Sequence, residues 1–562
     1  MLTVFVAVGA GAWAQDSEEF QRVVTRYMDA YDAETGYPNA AMRWHGRAYV
    51  GASSQGRTMS HGSFSYRVGK GVLSGDINFD VLEKSSSKDE YTSFTASDAS
   101  ITMSTGIMTR YEHQDASLAF KYNFAPHQSL TFSVAESYRR DNIEDSSIKS
   151  KQNDNGEYDD SEYEEQKRRA RNLTYLTRIA HQVSWQKGGT LASELDFKHQ
   201  YNPTKVLSDT WAARTPETEK EEEQDVLLYR PYSIVKYSSP KWGGFAFSVT
   251  EKADFSYLRI DDTATEFSYQ TGLSNTALAL NYRKGPFTLN ASGTYEHFRH
   301  RIHKFSAMAT IKSYDDLLYA WSTNVRLARH HTLLSSYDRT IKRPSYTQLY
   351  PYVHVGSSIG SWVVGNSDLE ASTNQQWRFA YVFSDRHWTV NSYFVYQRIN
   401  DDITKISTYN EEVQRSVKTW VNDALYNIYR YAVEASLTSG RLSMTMGARA
   451  QKLDYTGDKV KNDHAWSYSF KARPQVALPA DWTLATVLLY TGREVHQHYY
   501  DRSNMYVALR ASKQLGPWAV YAFVQDIFEE NREQVLRNSN NSIVTSEDHN
   551  ARALVVGCSY RF

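Results

Sequence analysis

A single cysteine, Cys558, stands in a chain of 562 residues. One thiol cannot form an internal disulfide, and it excludes any metal site built on several cysteines. Net charge is nearly absent as well: 63 Lys and Arg against 64 Asp and Glu leave −1, so nothing favours nucleic acid as a partner. Beyond the N-terminus no apolar run approaches the ~18 residues that a membrane-crossing helix requires. That excludes a helical membrane protein. It leaves open a barrel, whose strands are apolar only at every second position. There is no Gly-rich phosphate loop, no Gly-x-Ser-x-Gly elbow and no His-Glu-x-x-His helix, so neither an enzyme nor a cofactor is expected.

Aromatic residues, by contrast, make up 14% of the chain, with 41 Tyr. Amphipathic rings at this density suit girdles at membrane interfaces; a large soluble glycan-binding β protein is the other class with such a composition. The final residues favour the membrane. In a strand ending at the terminus, Leu554, Val556, Cys558, Tyr560 and Phe562 share one face. Ala553, Val555, Gly557, Ser559 and Arg561 share the other, because side chains alternate. An apolar row opposite a small or polar row suits lipid outside and water inside. Ending on Phe562 resembles the signal by which bacterial outer-membrane barrels are recognised, with Leu554, Val556, Tyr560 and Phe562 as the strand that the barrel-assembly machinery reads.

At the front, residues 1–14 form a short apolar run closing on Ala12-Trp13-Ala14, a small-x-small cleavage pattern. They read as a secretory signal peptide, although no Lys or Arg precedes the apolar core. Residues 15–40 follow as a short periplasmic segment. There Phe20, Val23, Val24, Tyr27, Met28 and Tyr31 recur at helical spacing, Asp16 or Ser17 can cap, and Gly36-Tyr37-Pro38 ends the run.

From residue 41 to 562 turn signals recur regularly. Short breaks fall at Gly69-Lys70-Gly71, Ala125-Pro126-His127, Lys187-Gly188-Gly189, Ser239-Pro240-Lys241 and Lys284-Gly285-Pro286. They continue at Arg329-His330-His331, Ser384-Asp385-Arg386, Ser439-Gly440-Arg441, Pro479-Ala480-Asp481 and Leu515-Gly516-Pro517. Each separates runs that alternate apolar and polar, such as Leu118, Phe120, Tyr122 and Phe124, or Trp377, Phe379, Tyr381 and Phe383. Lys121, Asn123, Arg378, Asn391 and Gln397 then face the lumen. Between the short breaks come long polar stretches, at 141–169, 203–225, 344–373, 405–422 and 531–546, which read as loops. The expectation is an all-β fold: a transmembrane antiparallel β-barrel of about 22 strands, with short periplasmic turns and long extracellular loops. Barrels of that size among outer-membrane transporters carry a plugged lumen.

One segment points to a family. Arg343-Pro344-Ser345-Tyr346-Thr347-Gln348-Leu349-Tyr350-Pro351, followed by Gly365-Asn366-Ser367-Asp368-Leu369, resembles a motif pair of TonB-dependent receptors. In that family an Arg-Pro…Leu-x-Pro stretch precedes a Gly-Asn-Pro-x-Leu loop; here Ser367 stands in place of the proline and Ala371-Ser372 in place of Pro-Glu. Pro344 and Pro351 cannot donate ladder hydrogen bonds and so mark strand exit, while Gly365-Asn366 is a turn pair. The motif residues are thus Arg343, Pro344, Tyr346, Leu349, Pro351, Gly365, Asn366 and Leu369. The resemblance implies binding and import of a scarce nutrient, with outer-membrane lipids around the barrel and the TonB system as partner. It also implies a plug of well over a hundred residues, which residues 15–40 cannot form, and no TonB box is recognised. The lumen is therefore expected to be filled by infolded loops, by a plug or lipoprotein lid in trans, or by an N-terminal segment lost from the gene model. A plugless passive channel is the alternative within the membrane class.

Two histidine groups invite a metal reading: His496-Gln497-His498, and His297, His300 and His303. Both sit near expected loops, where ordinary polar residues are the simpler account. The acidic loops carry abundant carboxylates, a pattern that is usually solvated charge. No metal site and no ligand-binding residue is assigned.

Overall fold

The computed structural model describes residues 44–561 except for 54–57, 95–99, 126, 153–157, 186–187, 213–214, 263–265, 305–309, 352–360, 411–414, 458–462, 496–498, 502, 526, 529–531, 538–540 and 549–552. The expected leader at 1–14, the helix within 15–40, His496, His498 and Phe562 lie outside the described residues.

Twenty-seven strands form one sheet. Five are short pieces within the long connections: Ser361–Val363, Glu494–Val495, Tyr499–Asp501, Arg532–Arg537 and Asn541–Asp548. The remaining 22 pair antiparallel in sequence order, from Trp44–Ser53 to Ala553–Arg561. The last strand then pairs back on the first, with Ala48 opposite Tyr560 and Val50 opposite Cys558. The ladder therefore closes into a ring. Closure removes the unpaired edge that would leave backbone N–H and C=O groups without partners in hydrocarbon.

All ten expected short breaks fall between consecutive ring strands. Two-residue turns that match the twist of the flanking strands need positive φ. Gly69 (57°), Gly285 (55°), Gly440 (56°) and Gly516 (61°) supply it, and Ala480 (59°) and Asp481 (60°) adopt it without glycine.

The outer face is apolar. Exposed side chains on neighbouring strands include Leu118 (45%), Phe132 (47%), Ile179 (44%) and Leu195 (54%). A belt of this kind would be a liability in water and is the expected surface against lipid. Rings border it. Near the short turns Trp185 meets Tyr237, Trp242 meets Phe247 and Phe245 meets Tyr282. Towards the other end Tyr175, His199 and Tyr229 stack in a row, with centroids 6.4 and 4.8 Å apart. Lys121, Asn123, Arg378, Asn391 and Gln397 lie on the opposite face of their strands from exposed Phe120, Phe379 and Phe394.

The long stretches depart from expectation. Residues 141–169 are not a loop: Gln128–Gln152 and Tyr158–Ser184 stay paired as far as Gln152 opposite Tyr158. The same holds for 203–225, paired to Ala212 opposite Thr215, and for 405–422, paired to Asn410 opposite Arg415. Residues 531–546 carry a hairpin, whose second strand pairs with residues 87–94 of Gly71–Phe94. Charge runs do not stop a strand whose backbone bonds are satisfied by its neighbour, once both of its faces meet water. Within 344–373 the described residues 344–351 and 364–371 run irregular apart from one helical turn, α1 (Tyr346–Leu349).

Candidate functional site

The stretches 343–351 and 361–371 fold onto the inner wall near the loop end, and these two motif halves hold each other. Ser345 caps α1: its hydroxyl accepts from the Gln348 N–H, while the Gln348 side chain accepts from the Ser345 N–H at 2.9 Å. This is a reciprocal capping box. Gly365 N–H then donates to the Tyr350 carbonyl at 2.8 Å and Asn366 N–H to the Gln348 carbonyl at 2.6 Å. A Cβ on Gly365 would lie 2.2 Å from the Tyr350 oxygen, so only glycine lets the two backbones approach this closely. Asn366 closes the turn, accepting from the Asp368 N–H (2.9 Å) and donating to the Trp420 carbonyl (3.0 Å).

Apolar anchors press the segment against the wall. Leu349, Tyr350 and Leu369 are 0–1% exposed and pack with Leu258, Ile260, Phe267, Tyr269, Ile302 and Ile403, with Tyr346 at the margin. Phe267 meets Tyr350 edge-on at 5.2 Å. Pro344 is buried and Pro351 half-buried where the chain leaves and re-enters this packing.

Arg343 is the polar anchor. Its guanidinium pairs with Glu296, donates to Asp316 at 3.1 Å and lies 4.3 Å over the Phe298 ring. Glu296 and Phe298 were not singled out from sequence, although both share the inward parity of their strand with buried Ile302. His300 completes that row at 3% exposure. Burial, with Lys312 and Arg343 nearby, pulls its imidazole down to about 4, so it is neutral at ordinary pH. It lies about 14 residues beyond the short turn, past the ~9–11 residues that span hydrocarbon. His297 and His303 stand exposed on the other face, His297 against Asp315 at 2.8 Å. The three histidines therefore do not converge, and among the described residues no group of His, Cys, Asp and Glu is arranged for a metal ion.

Below this anchored segment the lumen face is ionic. Arg178 holds Asp196 with two bonds of 2.8 and 2.7 Å, and Arg230 holds Asp254 likewise at 2.9 and 2.6 Å. Further round, small residues including Ala246, Ser248, Ala279, Ser292 and Ser322 leave a hollow of about 480 Å³. At the closing seam the inner face turns apolar, where Met59, Ala508, Tyr521, Phe523 and Val555 pack together. On the last strand Leu554 and Val556 are exposed on the lipid side and Tyr560 packs on Trp518 at 4.7 Å.

A closed antiparallel ring with a lipid-compatible exterior and a polar, partly filled interior defines an outer-membrane barrel. The chain belongs to the outer membrane protein beta-barrel family, whose sequence profile matches residues 246–561. No curated protein matches it. Among solved structures it is similar to the FrpB iron transporter from Neisseria meningitidis (10% identity, TM-score 0.59), covering 93% of this chain and 82% of that one. It is also similar to the alcaligin outer-membrane receptor FauA from Bordetella pertussis (11%, 0.57; 93% and 77% covered). The ferric-catecholate import receptor Fiu from K12 E. coli gives 8%, 0.63, and 92% and 81%. These likenesses carry the fold alone, a large outer-membrane β-barrel, and the family match places the chain in the outer membrane. A secreted soluble glycan-binding protein, left open by composition, does not account for the family match.

Proposed function

We propose that this barrel binds a scarce nutrient at its extracellular mouth and imports it, with opening driven by a TonB-type partner acting on a plug, whichever segment or chain supplies that plug. The observation that supports this reading is the pair of stretches 343–351 and 361–371, held to the inner wall by Arg343 and to each other by the Gly365–Tyr350 backbone contact. Such a segment narrows the mouth of a barrel whose strand number otherwise leaves a wide lumen. Ferric chelates are the first ligands to try, since two of the similar structures are named as an iron transporter and a ferric-catecholate import receptor.

The test is growth of an iron-limited host lacking its own ferric-siderophore receptors, with and without this chain, on a panel of ferric siderophores. TonB-dependent growth on at least one, together with low conductance in planar bilayers, is expected. Steady ohmic conductance with TonB-independent uptake would replace this reading with that of a passive channel.

A further inference from the structure

We propose that Asp402, Thr404, Tyr426 and Tyr455 form a buried seat for a hard cation of the calcium class, beside the anchored stretches at the mouth. All four are 0–1% exposed. Tyr426 lies on the opposite side of its strand from exposed Tyr429 and Tyr431, and Tyr455 stands directly across from it. Their rings are 4.6 Å apart. The neighbouring strand Trp388–Asn410 slips register here. Ile399 faces Tyr426 but Asp402 faces Ala424, and Asp401 just before it is left-handed (φ 55°). Bulges of this kind re-aim side chains, and this one brings Asp402 and Thr404 to the two phenols.

The cluster is rich in oxygen and short of positive charge. The Thr404, Tyr426 and Tyr455 hydroxyls come close enough to feel one another. Yet among the described residues neither they nor Asp402 Oδ2 meet a partner in hydrogen-bond geometry. Buried polar atoms are rarely left so, and each calls for an occupant. Burial raises the Asp402 carboxyl above its ordinary range; Lys342, 3.8 Å away and more than half exposed, offsets this only in part. Asp423 adds further oxygens. A Cβ on Gly457 would lie 2.7 Å from its carboxylate, 2.9 Å from its carbonyl and 2.9 Å from the Tyr455 hydroxyl. Carboxylate, carbonyl and hydroxyl oxygens gathered in one place are what calcium takes. Without imidazole or thiolate they do not suit a transition metal.

The seat is tied to the mouth. The Asn422 side chain donates to the Asp401 carbonyl (2.9 Å) and the Glu370 carbonyl (3.0 Å), and accepts from the Glu370 N–H (2.8 Å). Ile403, between Asp402 and Thr404, packs with Leu349, Tyr350 and Leu369. A cation here would hold the bulge in one position, and through it the stretch 361–371. Asp402 stands about 14 residues along its strand from the short turn, past the ~9–11 that span hydrocarbon. Ions therefore reach it from water rather than through lipid.

Terbium luminescence tests this on the full chain, folded in detergent free of lipopolysaccharide and stripped with chelator. Tb³⁺ should emit when tyrosine is excited, because two phenols line the seat, and Ca²⁺ should displace it. Ca²⁺ should also raise the melting temperature. Asp402→Asn keeps the shape and removes the charge; it should weaken Tb³⁺ binding roughly tenfold or more, since ligand charge sets affinity, and abolish the Ca²⁺ shift. Asp401→Asn, at the exposed neighbour, should change neither. Thr404→Val removes one ligand at constant size and serves should D402N not fold. Unchanged Tb³⁺ binding in D402N, or in T404V in its place, would overturn the proposal. So would a wild-type melting temperature indifferent to Ca²⁺, which would leave the seat to water.

Discussion

The two sides of this ring are built to different heights. Strands from Gly71 to Ser238 run 23 to 27 residues, while Trp482–Thr491, Asn504–Leu515, Trp518–Gln525 and Ala553–Arg561 run 8 to 12. The short strands are about as long as crossing the hydrocarbon requires. The tall strands continue well past it, and there polar residues occupy both faces, as buried Glu164 and exposed Glu165 do at adjacent positions. The hairpin 532–548 partly evens the rim, because its second strand adds to residues 87–94 of the tall side. The difference teaches that alternation of apolar and polar residues marks a strand only where one face meets lipid.

The largest effect expected from breaking this arrangement lies at Arg343, which joins the anchored segment to the inner wall. Arg343→Ala leaves buried Glu296 and half-buried Asp316 without their cation, and should cost about 3–5 kcal/mol, as removal of one partner of a buried pair does. Urea unfolding of the barrel in lipid vesicles reads it.

A second comparison sets an arginine into each level of the tall side. Leu195→Arg places the charge in the lipid belt and should cost about 2–4 kcal/mol, whereas Ile148→Arg, beyond the membrane, should stay within about 0.5 kcal/mol. Equal costs in the same unfolding assay would show that the tall strands do not leave the bilayer.

Third comes acidification. His300 titrates near 4 in the folded chain and near 6.5 when unfolded. Between these values the unfolded chain binds more protons, so stability falls as pH is lowered from about 6.5 to 4, by roughly 2–3 kcal/mol. His300→Gln should flatten that slope, while His297→Gln, on the exposed face, should leave it.

The smallest effect is expected from trimming the tall side. Removing residues 148–163, the tip of the first acidic hairpin, should leave heat-modifiable gel migration unchanged, because no lipid-spanning pair is lost.

Much of this architecture was legible in the sequence. The ten short breaks locate the tight turns at one end of the ring, since Gly69, Gly285 and Gly516 occupy positions where the backbone needs positive φ. The strand number follows from them. The acidic stretches misled because Glu164, Lys167, Glu221 and Glu223 obey no apolar alternation, yet their backbones are fully paired. The motif pair could be found from Arg343-Pro344 and Gly365-Asn366, but not its partners: Glu296 and Asp316 lie 47 and 27 positions away and meet it only through the register of the wall. Parity alone would have separated His300 from His297 and His303, because an odd spacing in a strand places residues on opposite faces.

The central claim is closure of the ring between its first and last strands, and the single native cysteine offers a direct test. Val50 stands opposite Cys558, within the Cα spacing of facing antiparallel residues, about 4.5–5.5 Å. In outer-membrane vesicles under mild oxidation, Val50→Cys should form a disulfide with Cys558 in nearly every molecule, with no thiol left to alkylate, while Ala48→Cys, whose partner is Tyr560, should not. Two alkylatable thiols in the folded Val50→Cys barrel would contradict the closed ring.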